Sequence, residues 1–529
     1  MKKNDLTYLI FLSVILAVYY LVLGLNIHSK GYYNHESLFY IEKARIVFQG
    51  MGNRLKVIGL TAPILPFYGI MPFIFNYSLA PYIASAIGTA VLFLIIGICT
   101  LKTTKDPFYM LVLLALFIFH PGIIYMAGCG KSIYIIIIFF FLFFYNTFRF
   151  YYSNTTFHIS ISSILLVALV FCDYRFIWMT LFFVPLVISI SLQSLNLAEK
   201  QSIFRLFLSF NNPSLRRKLV NKTFAVYIII FILPLIAILC YKILNQTHAN
   251  DFNYFLDNPY ATWNVLVNKL ESTVTPSTDN YKLPEVSFLT SVRVIIYCPL
   301  LVLGGFLLRH NIQHLLTLLI PLALVEFLKI EYPDNFLSQQ YYLIFIFMSF
   351  MAVLFKSNIV SQSNIYKYAI GACIVVELVT GYSYLNNSFF ESEKNFYAIA
   401  TQPKPDNGLE NQSRYDEYID VAAFINSMPR NSRILVDDAN AYPIAAFVKN
   451  MQKLTLPYQN IFLSAIENPS TYVDYILVAS NSNKVGGYTQ LNEKYKAIMQ
   501  SKNNIMMDRN YESDNWIIYK LREKNPGRN

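Results

Sequence analysis

Long apolar runs recur along the first 385 residues and stop near residue 390, where the chain becomes mixed. The first run, residues 6–26 (LTYLIFLSVILAVYYLVLGLN), is long enough to cross a hydrocarbon core. It lacks the short apolar region and small-residue cleavage site of a signal peptide, so it reads as a retained span. Comparable runs lie near 77–101 and 108–127, in a stretch ending at Arg149, and near 158–172, 176–192, 224–244, 291–308, 311–328, 341–355 and 366–385. The pattern predicts a polytopic α-helical membrane protein with about 11 transmembrane helices.

Beyond residue 390 the polar linker ESEKNFYAIATQPKPDNGLENQSR leads into alternating helix and strand signals. DEYIDVAAFINSM, NAYPIAAFVKN and a stretch near 488–500 read as helices; RILVDD, YILVAS and NWIIYKL read as strands. The expected division is therefore a membrane domain, 1–389, with an outer loop at 27–76, followed by a soluble extracytoplasmic α/β domain, 390–529.

Composition sharpens this picture. At 55% hydrophobic and only 14% charged, the chain is too apolar for an ordinary soluble enzyme. The formal net charge of +11 would otherwise point to nucleic acid, but much of the excess lies in short segments beside apolar runs. Lys102, Lys105, Arg149, Lys200, Arg205, Arg216, Arg217, Lys218, Lys222, Arg309 and Lys356 fit cytoplasmic loops facing anionic membrane lipids, and no nucleic-acid partner is expected. With Lys2 and Lys3, the same rule places the amino terminus in the cytoplasm and residues 390–529 outside a cell membrane, a bacterial inner membrane by preference. The six cysteines all lie within or beside apolar runs, where they act as small hydrophobes. No phosphate-cradling GxxxxGKS, HExxH or CxxC signature is present, which disfavours ATP-driven transport and zinc proteolysis.

The candidate chemistry centres on Gly31–Pro66, immediately after the first run. Glu36 opens a loosely amphipathic helix on which Lys43 lies two turns along the same face. Gly50 and Gly52 end it, and Pro63 and Pro66 mark a rigid return. Glu42 lies about 120° from Glu36 and within reach of Arg45 three residues on, so a surface ion pair accounts for it. Farther along, Lys131 in HPGIIYMAGCGKS reads as either a lipid-phosphate contact or an interfacial anchor, and His120 as structural. Asp173 and Arg175, in the short CDYR break, either face a cavity or pair locally. The outer loop near 245–290 carries Asp251, Tyr254, Asp257, Trp263, Glu271 and Glu285, and its length suits a functional cover. Asp437 and Asp438 after a strand read as caps of the following helix.

In order and spacing, Glu36, Ala44, Gly50 and Pro63 resemble the first outer loop of the polyprenyl-phosphate-sugar-dependent membrane glycosyltransferases, the GT-C superfamily that includes protein O-mannosyltransferases and lipid A aminoarabinose transferases. Where that family carries an Asp before the Glu, this chain has His35. The resemblance implies a hexosyl- or pentosyltransferase that moves a sugar from a polyprenyl-phosphate donor to a glycan, lipid or protein acceptor outside the membrane, with inversion of the anomeric centre in a single displacement. It implies Glu36 or His35 as the catalytic base, and Lys131, Arg175 and Lys329 as candidates to hold the donor phosphate, with Lys329 alternatively an interfacial anchor. Lys43, Asp173 and the tyrosines of QQYY, Tyr341 and Tyr342, which stand where the family has an Arg-Tyr element, are expected at the substrate. No cofactor is implied, and a divalent metal ion is left open. The rival reading is a transporter, flippase or non-catalytic binding protein for a lipid-linked glycan.

Overall fold

The structure, a computed structural model, describes residues 3–58, 60, 64–153, 155–194, 213–257, 283–331, 337–401, 410–480, 483, 489–500 and 507–522. Pro63, Lys200, Arg205, Trp263 and Glu271 lie outside the described residues. The chain divides into two compact units: residues 1–24, 85–241 and 274–397 form one, and residues 25–84, 242–273 and 398–529 the other. This grouping differs from a division at residue 390, because the 27–76 loop belongs with the carboxy-terminal segment.

The first unit is helical and its apolar surfaces explain why. Along the helix Lys3–Ser29, Leu9, Ser13, Leu16 and Tyr20 are buried, while Phe11, Val14, Val18 and Val22 face outward. Both stripes follow the three-to-four residue spacing of a helix, and an outward apolar stripe requires an apolar solvent. Ser13 Oγ donates to the Ala90 carbonyl at 2.8 Å, and Tyr20 Oη to that of Phe117 at 2.5 Å. Five helices are long and apolar enough to cross a membrane: Asn4–Ser29, Ala80–Thr103, Ile133–Phe150, Arg216–Ala249 and Asn364–Asn386. The protein is thus a helical membrane protein by the length and composition of these segments.

Two further candidate spans are bent pairs. Pro107–Phe119 turns by 60° into Pro121–Gly128, and Thr290–Tyr297 turns by 93° into Leu300–Leu308. Each break falls at a proline, Pro121 or Pro299, whose missing N–H and ring interrupt the helical ladder. At the second break the Leu300 N–H is satisfied by Glu377 Oε1 at 3.2 Å, a carboxylate that is itself fully buried. The expected count of eleven therefore becomes five long helices, or seven with the bent pairs, among the described residues. Thr156–Cys172, Ile312–Leu328 and Gln339–Phe355 are apolar but only 10–17 residues long.

The second unit contains the helix His35–Gln49 and a five-stranded sheet of order β2-β1-β3-β5-β4. The strands are β1 Ile434–Leu435, β2 Leu454–Thr455, β3 Tyr475–Ala479, β4 Met507–Glu512 and β5 Trp516–Leu521. β1 runs parallel to β2 and β3, while β5 is antiparallel to both β3 and β4. Leu435, Ile476, Val478, Ile517 and Tyr519 join Phe462 and Leu491 in the core beside this sheet. The runs YILVA and WIIYKL supply the β-branched and aromatic residues that a buried strand favours.

Close helix packing in the membrane unit depends on small residues. A Cβ added at Gly88 would run into the ring of Tyr134, whereas one at Gly371 meets nothing within 4 Å. Gly88→Val should destabilise the detergent-solubilised protein by about 1–3 kcal/mol, and Gly371→Ala should leave it nearly unchanged. Thermal unfolding of the two variants side by side checks the packing.

Candidate functional site

The helix His35–Gln49 is held in place before any charged group is considered. Gly31, at φ 87°, reverses the chain in a conformation that favours glycine, and Asn34 caps the helix by accepting the Ser37 N–H at 2.8 Å. Gly50 closes it, donating to the Ile46 carbonyl at 2.8 Å. Every residue from His35 to Val47 is buried, so this is no half-solvated amphipathic helix. Its polar residues must find partners inside the unit.

Lys43 finds Asp438, 395 residues away in sequence, with Nζ 2.6 Å from Oδ2. The same ammonium lies 3.2 Å from Glu42 Oε2 and 5.2 Å from the centre of the Phe39 ring. Glu42 is 0% exposed, so the expected surface ion pair with Arg45 does not form. Arg45 instead donates to the carbonyls of Ala446 at 2.9 Å and Lys449 at 2.8 Å, holding the end of the helix Asp438–Phe447. Local i,i+3 spacing made Arg45 look like the partner of Glu42, but the distant helix outcompetes it.

The two aspartates expected as caps divide the work. Asp437 is the cap, its Oδ1 accepting the Ala439 N–H at 3.1 Å. Asp438, the first residue inside the helix, turns to Lys43. No sequence motif linked these positions; the only signal was an acid and a cation embedded in the apolar stretch LFYIEKARIVF.

Charge states follow from the burial. Removal from water pushes the Glu42 carboxyl well above its ordinary value; the neighbouring Asp438 reinforces this, while Lys43 opposes it. Burial pulls Lys43 toward its neutral form, but Asp438 and Glu42 together outweigh that effect and hold it above its ordinary range. Burial thus favours the neutral form of Glu42, while its acidic neighbours favour the charged form of Lys43. Half-buried Tyr254 is pushed up to about 12, first by burial, with Asp438 and Asp251 adding and Lys43 opposing. Among the described residues, no group of three or more His, Cys, Asp or Glu side chains is placed to hold a metal ion.

The residues singled out from the sequence are divided between the two units. His35 and Glu36 occupy the first turn of His35–Gln49, each 4% exposed, with the His35 ring 5.5 Å from Tyr415 and 6.3 Å from Tyr442. In the membrane unit, Lys131 is 9% exposed and donates to Ser392 Oγ at 3.0 Å. Arg175 forms a bidentate pair with Asp173, Nε to Oδ1 at 3.0 Å and Nη2 to Oδ2 at 2.7 Å, which is the local pairing that their spacing allowed. The Arg175 guanidinium also lies 6.0 Å from the Tyr341 ring. Tyr342 is buried and stacks on Tyr297 at 4.3 Å. Lys329 falls near the end of Ile312–Glu331, with its side chain outside the described residues.

Comparison with protein-family models matches none of them to this chain, and comparison with curated proteins finds no significant match.

Two outcomes test the cluster. Asp438→Asn leaves Lys43 beside Glu42, which ionises in its place, and Glu42→Gln mimics the protonated carboxyl, so either single change should be tolerated. The double variant strands a buried ammonium and should cost about 3–5 kcal/mol, far more than the sum, as read by thermal unfolding. The second outcome is a pH dependence. Because the folded Glu42 pKa is raised, its contribution is complete below the ordinary value of 4.5 and is lost as pH rises through the raised value. Unfolding temperatures measured from pH 4 upward should fall more steeply in the parent protein than in Glu42→Gln.

Proposed function

We propose that this chain is a membrane glycosyltransferase that moves a hexosyl or pentosyl group from a polyprenyl-phosphate carrier to a glycan, lipid or protein acceptor on the extracytoplasmic side. The observation that carries this reading is the first turn of His35–Gln49, where an imidazole and a carboxylate sit side by side, both withdrawn from water. This helix follows the first membrane-crossing helix in sequence after only five intervening residues. Sugar transfer to a hydroxyl needs a base that is desolvated, oriented and held rigidly.

Glu36 is the preferred base. In a single displacement, the acceptor hydroxyl gives its proton to the Glu36 carboxylate as its oxygen bonds to the anomeric carbon. The bond from that carbon to the phosphate oxygen breaks, and polyprenyl phosphate leaves with the electron pair, giving inversion. His35 orients the acceptor or the carboxylate. The Glu42–Lys43–Asp438 cluster and Arg45 fix the helix against Asp438–Phe447, so the base does not drift from its productive position.

The experiment is release of polyprenyl phosphate by purified, detergent-solubilised protein given polyprenyl-phosphate sugars and a pool of acceptors. Glu36→Gln should lower turnover about 10² to 10⁴-fold with donor binding retained. Normal turnover in Glu36→Gln together with an inactive His35→Ala moves the base to His35. Saturable donor binding without turnover in the parent protein defeats the transferase reading and favours a carrier of lipid-linked glycans.

A further inference from the structure

A cavity of about 340 Å³ lies within the membrane unit, and Tyr342, expected at the substrate from the sequence, is among its lining residues. It is lined by Arg293, one turn before the 93° break that follows Tyr297, and by Gln339, Tyr342, Asn387 and Glu393. Breaks of this kind in membrane helices persist where the irregular backbone is buried in protein or lines a cavity.

The lining is rich in hydrogen-bond donors. Glu393 is its one carboxylate, and both oxygens are engaged: Oε1 accepts the Gln339 backbone N–H at 2.8 Å and Oε2 the Ser388 hydroxyl at 2.6 Å. Arg293 pairs with no carboxylate among the described residues; its guanidinium instead lies 5.5 Å from the centre of the Phe389 ring. Its backbone is pinned, since Tyr384 Oη donates to the Arg293 carbonyl at 3.2 Å. Tyr297 Oη occupies Gln339 Oε1 at 2.7 Å, so the Gln339 amide offers its N–H groups. Asn387 donates one N–H to the Ser383 carbonyl at 3.0 Å and retains another. Tyr342, stacked on Tyr297, brings a phenol on a rigid ring.

We infer that this cavity is a binding site for a phosphate ester, with Arg293 taking the oxyanion and the Gln339, Asn387 and Tyr342 donors its remaining oxygens. A planar guanidinium fork fits two oxygens at once, and a phosphate offers further acceptors to the surrounding amides and phenol, which a carboxylate with two oxygens does not. The volume suits one small headgroup. The inference stands on the cavity and its lining. The ester arrives either in solution or on a membrane-borne chain.

The test uses full-length protein in detergent, with binding measured by titration. The probes are glucose 1-phosphate, farnesyl phosphate in mixed micelles, and the neutral counterparts methyl glucoside and farnesol. At least one phosphate ester should bind saturably and its neutral counterpart at least about tenfold more weakly, with the favoured ester identifying a soluble or a membrane-borne source. Arg293→Gln should weaken that binding about 10- to 100-fold, and Arg293→Lys less, because an ammonium keeps the charge but loses the fork. Tyr342→Phe preserves the stacked ring and removes one donor, so it should weaken binding severalfold even if Arg293→Gln fails to fold. Arg309→Gln, an exposed cation elsewhere in the unit, should bind as the parent does. The inference is overturned if neither ester binds saturably, if Arg293→Gln or Tyr342→Phe folds and binds like the parent, or if Arg309→Gln loses binding equally.

Discussion

An ammonium group taken out of water must be matched by a carboxylate in the same dry space, and at Lys43 that requirement organises the second unit. Side-chain exposure at the Lys43–Asp438 pair is 4% and 2%, so neither charge is relieved by solvent. Coulomb attraction offsets the desolvation of such a pair only when the geometry is good and the remaining polar atoms are engaged. Burial favours the neutral form of Glu42 beside this pair, which limits a second negative charge there. Arg45 extends the attachment to the opposite end of the partner helix through backbone carbonyls rather than another acid. The helix that carries the proposed base is thereby fixed along its length by electrostatics as much as by aromatic packing.

The membrane unit handles polarity differently. Asp173 and Arg175 neutralise each other two residues apart, and Glu377 settles the broken helix by accepting the Leu300 N–H. These are local repairs to irregular backbone in apolar surroundings. Arg293 stands apart from them, because its nearby carboxylate is already committed to a backbone N–H and a hydroxyl. A cation held by an aromatic face and a pinned backbone is well placed for a ligand that supplies the missing negative charge.

Legibility from sequence followed the range of the interactions involved. The apolar helices were readable because lipid imposes one simple condition on every outward residue, as the Phe11–Val22 stripe illustrates. YILVA and WIIYKL were readable because a buried strand concentrates β-branched and aromatic residues. The bends at Pro121 and Pro299 were not readable, because their angles depend on the helices packed against them. Asp437 was recognisable as a cap because a cap is a local bond. Glu42 was misread because a plausible local partner, Arg45, lay three residues away, and nothing in the one-dimensional pattern ties Lys43 to Asp438.

That separation bears on how the protein is made. Because Asp438 follows Lys43 by 395 positions, the helix His35–Gln49 is synthesised long before its counter-ion exists. At translation rates of about 5–20 residues per second, the interval is roughly 20–80 s. Throughout it, the buried face of the helix has to be tolerated in solvent, at the lipid surface or by a chaperone. Maturation of this unit is therefore necessarily a late event, completed only after the last strands have left the ribosome, and an interrupted chain would be marked for degradation by the same exposed segment.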